Sequence, residues 1–247
     1  MKNTVIVFII LIIGTFMFQN TIGYMAENIS DFENVALPPK KRKIVVTNNP
    51  VIKVNATSKD SWTLLDFASG KSHTITDPDT DKEKLKTLKW DLGFQRTKII
   101  TNSGDTNSSG NVGVVNLGQV DFNTITEAPE AGYIQDKRKW GKILNKSISN
   151  WYNYRTRTHN IESQKYVYAV RNSEGKYFKM KILNYYCLKK ESDCATSMCN
   201  RNEAACLTIE YVFQPNGDRL FPKPQLPKRP VVKAETETVT TVQVQTP

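Results

Sequence analysis

Apolar side chains recur at every second position through the central part of the chain. Leu88, Trp90, Leu92 and Phe94 alternate with Lys89, Asp91, Gly93 and Gln95, as expected of an extended strand with one buried and one polar face. Ile52, Val54 and Ala56 repeat the period, as do Phe178, Met180 and Ile182, and then Leu207, Ile209, Tyr211 and Phe213. Between such runs lie Asn102-Ser103-Gly104-Asp105 and Asn216-Gly217-Asp218, residue types that supply the backbone conformations of tight hairpins. Only Asp79 to Leu88 has a helical spacing, and its few apolar positions limit any helix there to a short one at the periphery. The pattern predicts an all-β fold: a single antiparallel β-sandwich-like domain with at most a short peripheral helix.

The two ends depart from the pattern. Lys2 is followed by an apolar stretch from Val5 to Phe18, shorter than the roughly 20 residues of a bilayer-spanning helix, which reads as an export signal. Small residues at Thr21 and Gly23 suit cleavage before Tyr24, and the segment has no cysteine to accept a lipid. The mature chain is therefore expected to be exported, periplasmic or extracellular, with no transmembrane span and no lipobox cysteine. Residues 24–43 end in Pro38-Pro39-Lys40-Lys41-Arg42-Lys43, a stiff basic leader. Beyond Phe221, Pro222, Pro224, Pro227 and Pro230 precede a Glu/Thr/Val/Gln run that cannot build a core. The expected division is signal 1–23, leader 24–43, β domain 44–221 and Pro-rich tail 222–247.

Composition narrows the chemistry. With 34 Lys+Arg against 24 Asp+Glu, a formal charge of +10, the surface favours anionic partners, and export points away from nucleic acid. Cys187, Cys194, Cys199 and Cys206 lack the C-x-x-C pairs of most structural zinc sites, and an oxidising compartment favours two disulfides. Four cysteines allow three connectivities. The symmetric spacing accommodates a nested pair, 187–206 around 194–199, without deciding for it. Gly70-Lys71-Ser72 is no phosphate-binding loop, because Leu65 stands where that motif needs glycine. The two histidines, His73 and His159, adjoin no nucleophile signature, so the inventory argues against an enzyme.

One segment has a distinct character. Trp151, Tyr152, Tyr154, Arg155, Arg157 and His159 place three aromatics, two guanidiniums and an imidazole within nine residues. A site for a flat, anionic, metal-bearing ligand needs aromatic faces, cations for carboxylates and an imidazole for iron. A structural aromatic strand ending in a solvated loop has the same composition, and both readings stand on these residues alone.

The blocks Trp62–Lys71, Trp90–Arg96, Thr101–Gly104, Trp151–Tyr154, Tyr168–Arg171, Gly175–Lys179, Tyr185-Tyr186 and Thr208–Gly217 follow one another in an order that resembles the HmuY-like haem-binding family, over about residues 55 to 217. The resemblance implies an exported all-β haemophore that holds haem, or a related tetrapyrrole, as cargo and passes it to an outer-membrane receptor. It implies His159 as an axial ligand, Trp151, Tyr152 and Tyr154 as pocket walls, and Arg155 or Arg157 near the propionates. The second ligand is left open. His73 shares a strand face with Ile75 and reads as structural, Met180 reads as core, and Met198 lies in the cysteine-rich insertion 187–206. That insertion is expected to be a self-contained loop whose reduction spares the haem site. A β-sandwich interaction or adhesion module is the alternative, since it would share the fold, signal and charge.

Deletion of residues 24–43 and 222–247 is expected to leave a folded domain, because neither segment has the apolar periodicity to join the core. Limited proteolysis checks this: both ends should be cut well before the centre.

Overall fold

Strand pairing is antiparallel throughout the described residues and gathers the strands into two main sheets and two hairpins. The computed structural model describes residues 11–15, 17, 49–194 and 197–223. The rest of the expected signal, the leader 24–43 and the tail beyond residue 223 lie outside the described residues. Residues 11–15 and 17 are helical and belong to the unit Met1–Thr47, whereas every described strand belongs to the unit Asn48–Pro247. Among the described residues no helix is long and apolar enough to cross a membrane.

The larger sheet has the order β1 (Val51–Asn55), β13 (Ala204–Gln214), β12 (Tyr177–Tyr186), β11 (Val167–Arg171) and β6 (Gly113–Asn116). The smaller has the order β3 (Ser72–Ile75), β2 (Trp62–Leu65), β4 (Leu92–Gln95) and β5 (Lys98–Thr101). Two hairpins stand apart from these sheets, β7 (Lys137–Lys139) with β8 (Lys142–Leu144), and β9 (Tyr152–Arg155) with β10 (Asn160–Ser163). The helix α1, Lys82–Thr87, is six residues long and falls inside the one stretch of helical spacing. The fold is all-β, antiparallel and sandwich-like.

The main core joins the two sheets. Leu65, Phe67, Leu92 and Phe94 meet Val54, Phe178, Met180, Ile182, Leu207 and Ile209, and Phe67 stacks on Phe178 at 4.4 Å between ring centroids. Both outer faces are covered as well. Trp62, Leu64, Ile75, Trp90 and Ile100 pack with Leu85 of α1 on one side, and Phe122, Ala128, Val167, Val212 and Phe221 on the other.

This double coverage explains two departures from the simple alternation. The run Leu88 to Phe94 is not one strand face: β4 starts only at Leu92, so Trp90 lies in the α1-side cluster while Leu92 and Phe94 lie between the sheets. Trp90 Nε1 donates to the Leu85 carbonyl at 3.1 Å, which fixes the bend. Gly93 faces the α1-side cluster, and a Cβ there would stand 2.8 Å from Ile100 Cγ1 and 2.9 Å from Leu64 Cδ2. Lys179, expected on a polar face, is only 2% exposed. Its ammonium donates to the carbonyls of Phe122 and Ile125, each at 2.7 Å, and burial pulls its pKa down to about 8.

Two buried carboxylates fix the loops. Asp136 accepts from Thr101 N (2.8 Å), Thr101 Oγ1 (2.7 Å), Thr106 Oγ1 (2.5 Å) and Asn145 Nδ2 (3.1 Å). Gly104, with φ of 57°, lies against its backbone so closely that a Cβ would overlap the Asp136 carbonyl oxygen. Asp91, at the bend before β4, accepts from Phe67 N at 2.9 Å. Burial, opposed by that hydrogen bond and reinforced by nearby Asp66, pushes its carboxyl up to about 7 from an ordinary 3.8.

The folded protein thus holds a proton on Asp91 that the unfolded chain releases near pH 3.8, so stability falls as pH rises from there through about 7. Asp91→Asn, whose side-chain oxygen still accepts from Phe67, is expected to remove that fall. Urea midpoints should show the wild type losing up to about 3 kcal/mol relative to the variant between about pH 5 and pH 8.

Candidate functional site

The residues around Trp151 form the β9–β10 hairpin, and strand alternation sorts them. Trp151, immediately before β9, is 1% exposed in the main core and donates from Nε1 to the Thr97 carbonyl at 2.9 Å. Tyr152 and Tyr154 share one face of β9 and Arg155 takes the other. Residues 156–159 make the turn, and His159 closes it with φ of 53°, a left-handed conformation that histidine adopts more readily than most non-glycine residues. Register pairs Arg155 with Asn160 and Tyr152 with Ser163.

Tyr152 and Tyr154 line a groove of about 840 Å3, within the size range of small-molecule sites. Tyr166, Lys146, Asn150 and the Asn116–Gly118 segment at the end of β6 complete much of its wall. His159 stands beyond Tyr154 and is not part of that lining. Its Nδ1 lies 2.5 Å from Tyr154 Oη, and among the described residues Nε2 makes no hydrogen bond. Either atom can donate in this contact; in the tautomer in which Nδ1–H donates to the phenol oxygen, Nε2 keeps its lone pair directed away, as a metal requires.

The other expected site residues are scattered around this groove or lie apart from it. Trp151 supports the wall from beneath, 5.0 Å from the Tyr152 ring, and does not line the groove. Arg155 points to the opposite face of β9, where its guanidinium binds Glu162 Oε2 through Nε at 2.8 Å and Nη2 at 2.5 Å. It is engaged by a carboxylate of this chain rather than turned toward the tyrosines. Arg157 is exposed in the turn and forms no ion pair among the described residues. His73 is half-buried on β3, an edge strand of the smaller sheet, opposite Leu64. Met180 is fully buried in the main core, which closes it to any ligand. Lys146 and Tyr166 were not singled out by sequence reasoning. No local signal marks them, because the groove wall is assembled from residues 116–118, 146–154 and 164–166 by tertiary placement.

The cysteines pair as 187–206 and 194–199, the nested arrangement. The insertion they staple is not self-contained. Asn160, 5% exposed and next to His159, donates from Nδ2 to the carbonyls of Cys194 (2.6 Å) and Ser197 (2.8 Å) and accepts from Cys199 N (3.0 Å). Met198, 59% exposed, therefore sits between two residues held by the neighbour of His159. Farther along, Ile161 N donates to Tyr186 Oη at 2.9 Å and Ser163 N to Glu191 Oε1 at 3.0 Å. The separation expected between the insertion and the hairpin is replaced by direct bonding, because the β10 edge has backbone groups that need partners. Among the described residues no cluster of His, Cys, Asp and Glu is arranged to hold a metal ion.

A family model described as HmuY protein matches residues 58–198, more than half of the chain. The chain belongs to the HmuY family. At the family level this makes it a haem-binding type of protein, and HmuY-family proteins bind rather than catalyse. Among solved structures, the apo HmuY analog (TFO) of Tannerella forsythia is 16% identical, with 68% of this chain and 96% of that one covered and a TM-score of 0.51, a likeness of fold. An HmuY-like protein of Bacteroides vulgatus is 22% identical, with 67% and 91% covered and a TM-score of 0.48. Apo PinO of Porphyromonas gingivitis is 18% identical, with 66% and 96% covered and a TM-score of 0.48. No curated protein matches the sequence. The HmuY match ends at Met198, inside the insertion.

Asn160→Ala strips the acceptor from the Cys199 amide and the donor from two carbonyls, and is expected to cost about 1–3 kcal/mol. Urea midpoints check the cost, and faster amide exchange at Cys199 locates it.

Proposed function

We propose that the protein is an exported haem-binding protein that captures haem, or a related tetrapyrrole, beside the β9–β10 hairpin and passes it to an outer-membrane receptor. The observation that carries this reading is the contact of Tyr154 Oη with His159 Nδ1. It joins an aromatic groove wall to an imidazole whose second nitrogen is available to iron, in a chain of the HmuY family. Tyr152, Tyr154 and Tyr166 offer faces for a porphyrin, Lys146 on the groove and Arg157 in the turn offer cations for propionates, and His159 is the axial donor. For the second ligand, His73 and Met180 recede on their placement in the smaller sheet and the core. Met198 is the candidate, as an exposed thioether on a loop that Asn160 ties to the His159 turn.

Export supports the same reading. The segment 1–23 has the composition of a cleaved signal, the β domain 44–221 would be released behind its basic leader, and both disulfides suit a periplasmic or extracellular compartment. The reading has no catalytic step.

Hemin titration followed in the visible spectrum tests it. The wild-type protein should bind hemin with a shifted Soret band. His159→Asn is the informative variant, because asparagine tolerates the left-handed turn and leaves the hairpin folded. It should weaken binding at least about tenfold and alter the Soret band. Met198→Leu should alter the band with a smaller loss, and His73→Gln should change neither. A wild-type protein that binds no hemin would turn the reading to an interaction module of the same fold.

A further inference from the structure

The β7–β8 hairpin breaks three local rules with no return inside the fold. Its tip residue, Trp140, is 91% exposed, the most exposed large hydrophobic side chain among the described residues. Trp140 and Gly141 have φ of 49° and 74°, the two left-handed residues of a tight two-residue turn, where asparagine rather than tryptophan is favoured before glycine. Lys139 and Lys142 stand directly opposite each other, a like-charge pair that weakens the hairpin.

The two faces of the hairpin differ. Ile143 packs against the α1-side cluster. Arg138, directly opposite it, bonds Asp79 Oδ1 through Nη2 at 2.5 Å, and its backbone N–H donates to Asp105 Oδ2 at 2.6 Å. These contacts fasten the inner face to the body. On the outer face stand Lys137, Lys139 and Lys142, with Leu144 41% exposed opposite Lys137. None of the three lysines forms an ion pair among the described residues, and Lys139 Nζ lies 4.7 Å from the Trp140 ring centroid.

We infer that this hairpin docks the protein reversibly on an anionic lipid surface, with the Trp140 indole seated at the headgroup level and the three lysines facing lipid phosphates. An indole with one apolar body and one polar edge favours that interface, and lysines near an anionic leaflet each add to the attraction. The tip is convex and anchored at its base, a shape that enters a deformable surface and offers no groove along which a nucleic acid strand could track. The overall charge of +10 has the complementary sign. This docking is independent of haem.

Tryptophan fluorescence of the full chain reads it directly, because Trp62, Trp90 and Trp151 are buried and Trp140 dominates quenching by acrylamide. Vesicles of phosphatidylcholine with phosphatidylglycerol should protect Trp140 from the quencher in a salt-dependent way, and pure phosphatidylcholine vesicles should not. Co-sedimentation with the mixed vesicles should weaken about fivefold for each of Lys139→Gln and Lys142→Gln. It should also fall for Trp140→Asn, which installs the favoured Asn-Gly turn and so keeps the hairpin folded. Unchanged sedimentation in all three variants would overturn the inference by locating binding elsewhere on the chain. Protection by a single-stranded RNA homopolymer with none from the mixed vesicles would overturn it in favour of nucleic acid.

Discussion

The Asp136 carboxylate is the point on which the loops of this structure converge. It is fully buried, and its two oxygens accept from Thr101 twice, from Thr106 and from Asn145, so every acceptor position is filled. Burial raises its proton affinity while the four donors oppose that, and protonation would break a bond the network needs. Three functional neighbourhoods radiate from it. Thr101 ends β5 and ties Asp136 to the smaller sheet. Asn145 starts the turn leading through Lys146 and Asn150 to the groove and β9. Arg138, two residues after Asp136, starts the contacts that fasten the basic hairpin.

Asn160 plays the corresponding part on the other side of the groove. A side-chain amide can donate twice and accept, and Asn160 does so against three backbone groups of the Cys194–Cys199 loop. Hydrogen bonds of this kind are satisfied only in one arrangement, so the loop is held in register with the His159 turn. The cysteine-rich insertion is thereby part of the candidate site and no mere elaboration of the β12–β13 connection. The nested bridges shorten the loop that Asn160 must order, which lowers the entropy its three bonds have to offset.

Much of the fold was legible in the sequence because alternation is a local signal. Phe178, Met180 and Ile182, and Leu207 and Ile209, read as one buried face and form one. The reading failed where a sheet is covered on both sides, since alternation then stops marking the surface: Trp90 and Leu92 enter different cores, and Lys179 is buried opposite Phe178's face. The candidate site was legible only in part. His159 and Tyr154 are five residues apart and meet across a hairpin. Arg155 could not be sorted from Arg157 without knowing which residues lie in β9, nor Trp151 from Tyr152 without knowing what lay beneath the strand. Lys146, Tyr166 and the Asn160 contacts depend on tertiary placement, to which no spacing rule applies.

Backbone conformation supplies a criterion that composition lacks. Five non-glycine residues among those described have left-handed φ: Arg96, Trp140, His159, Lys165 and Ala205. Such positions cost energy and persist where surrounding contacts determine them. For three of the five the compensation is structural and visible. Arg96 donates from its backbone to Ala56 and from its guanidinium to Thr57, Lys165 bonds Leu183 and Glu191, and Ala205 accepts from Ala56 N within the main core. His159 and Trp140 are different. Among the described residues the one side-chain hydrogen bond of His159 is with the groove wall, and the one polar contact of the Trp140 ring is with the ammonium of its neighbour, Lys139. A fold that needed only a turn at Trp140 would be better served by asparagine or glycine, and the exposed indole there, like the imidazole of His159, accords with the roles proposed for the two hairpins.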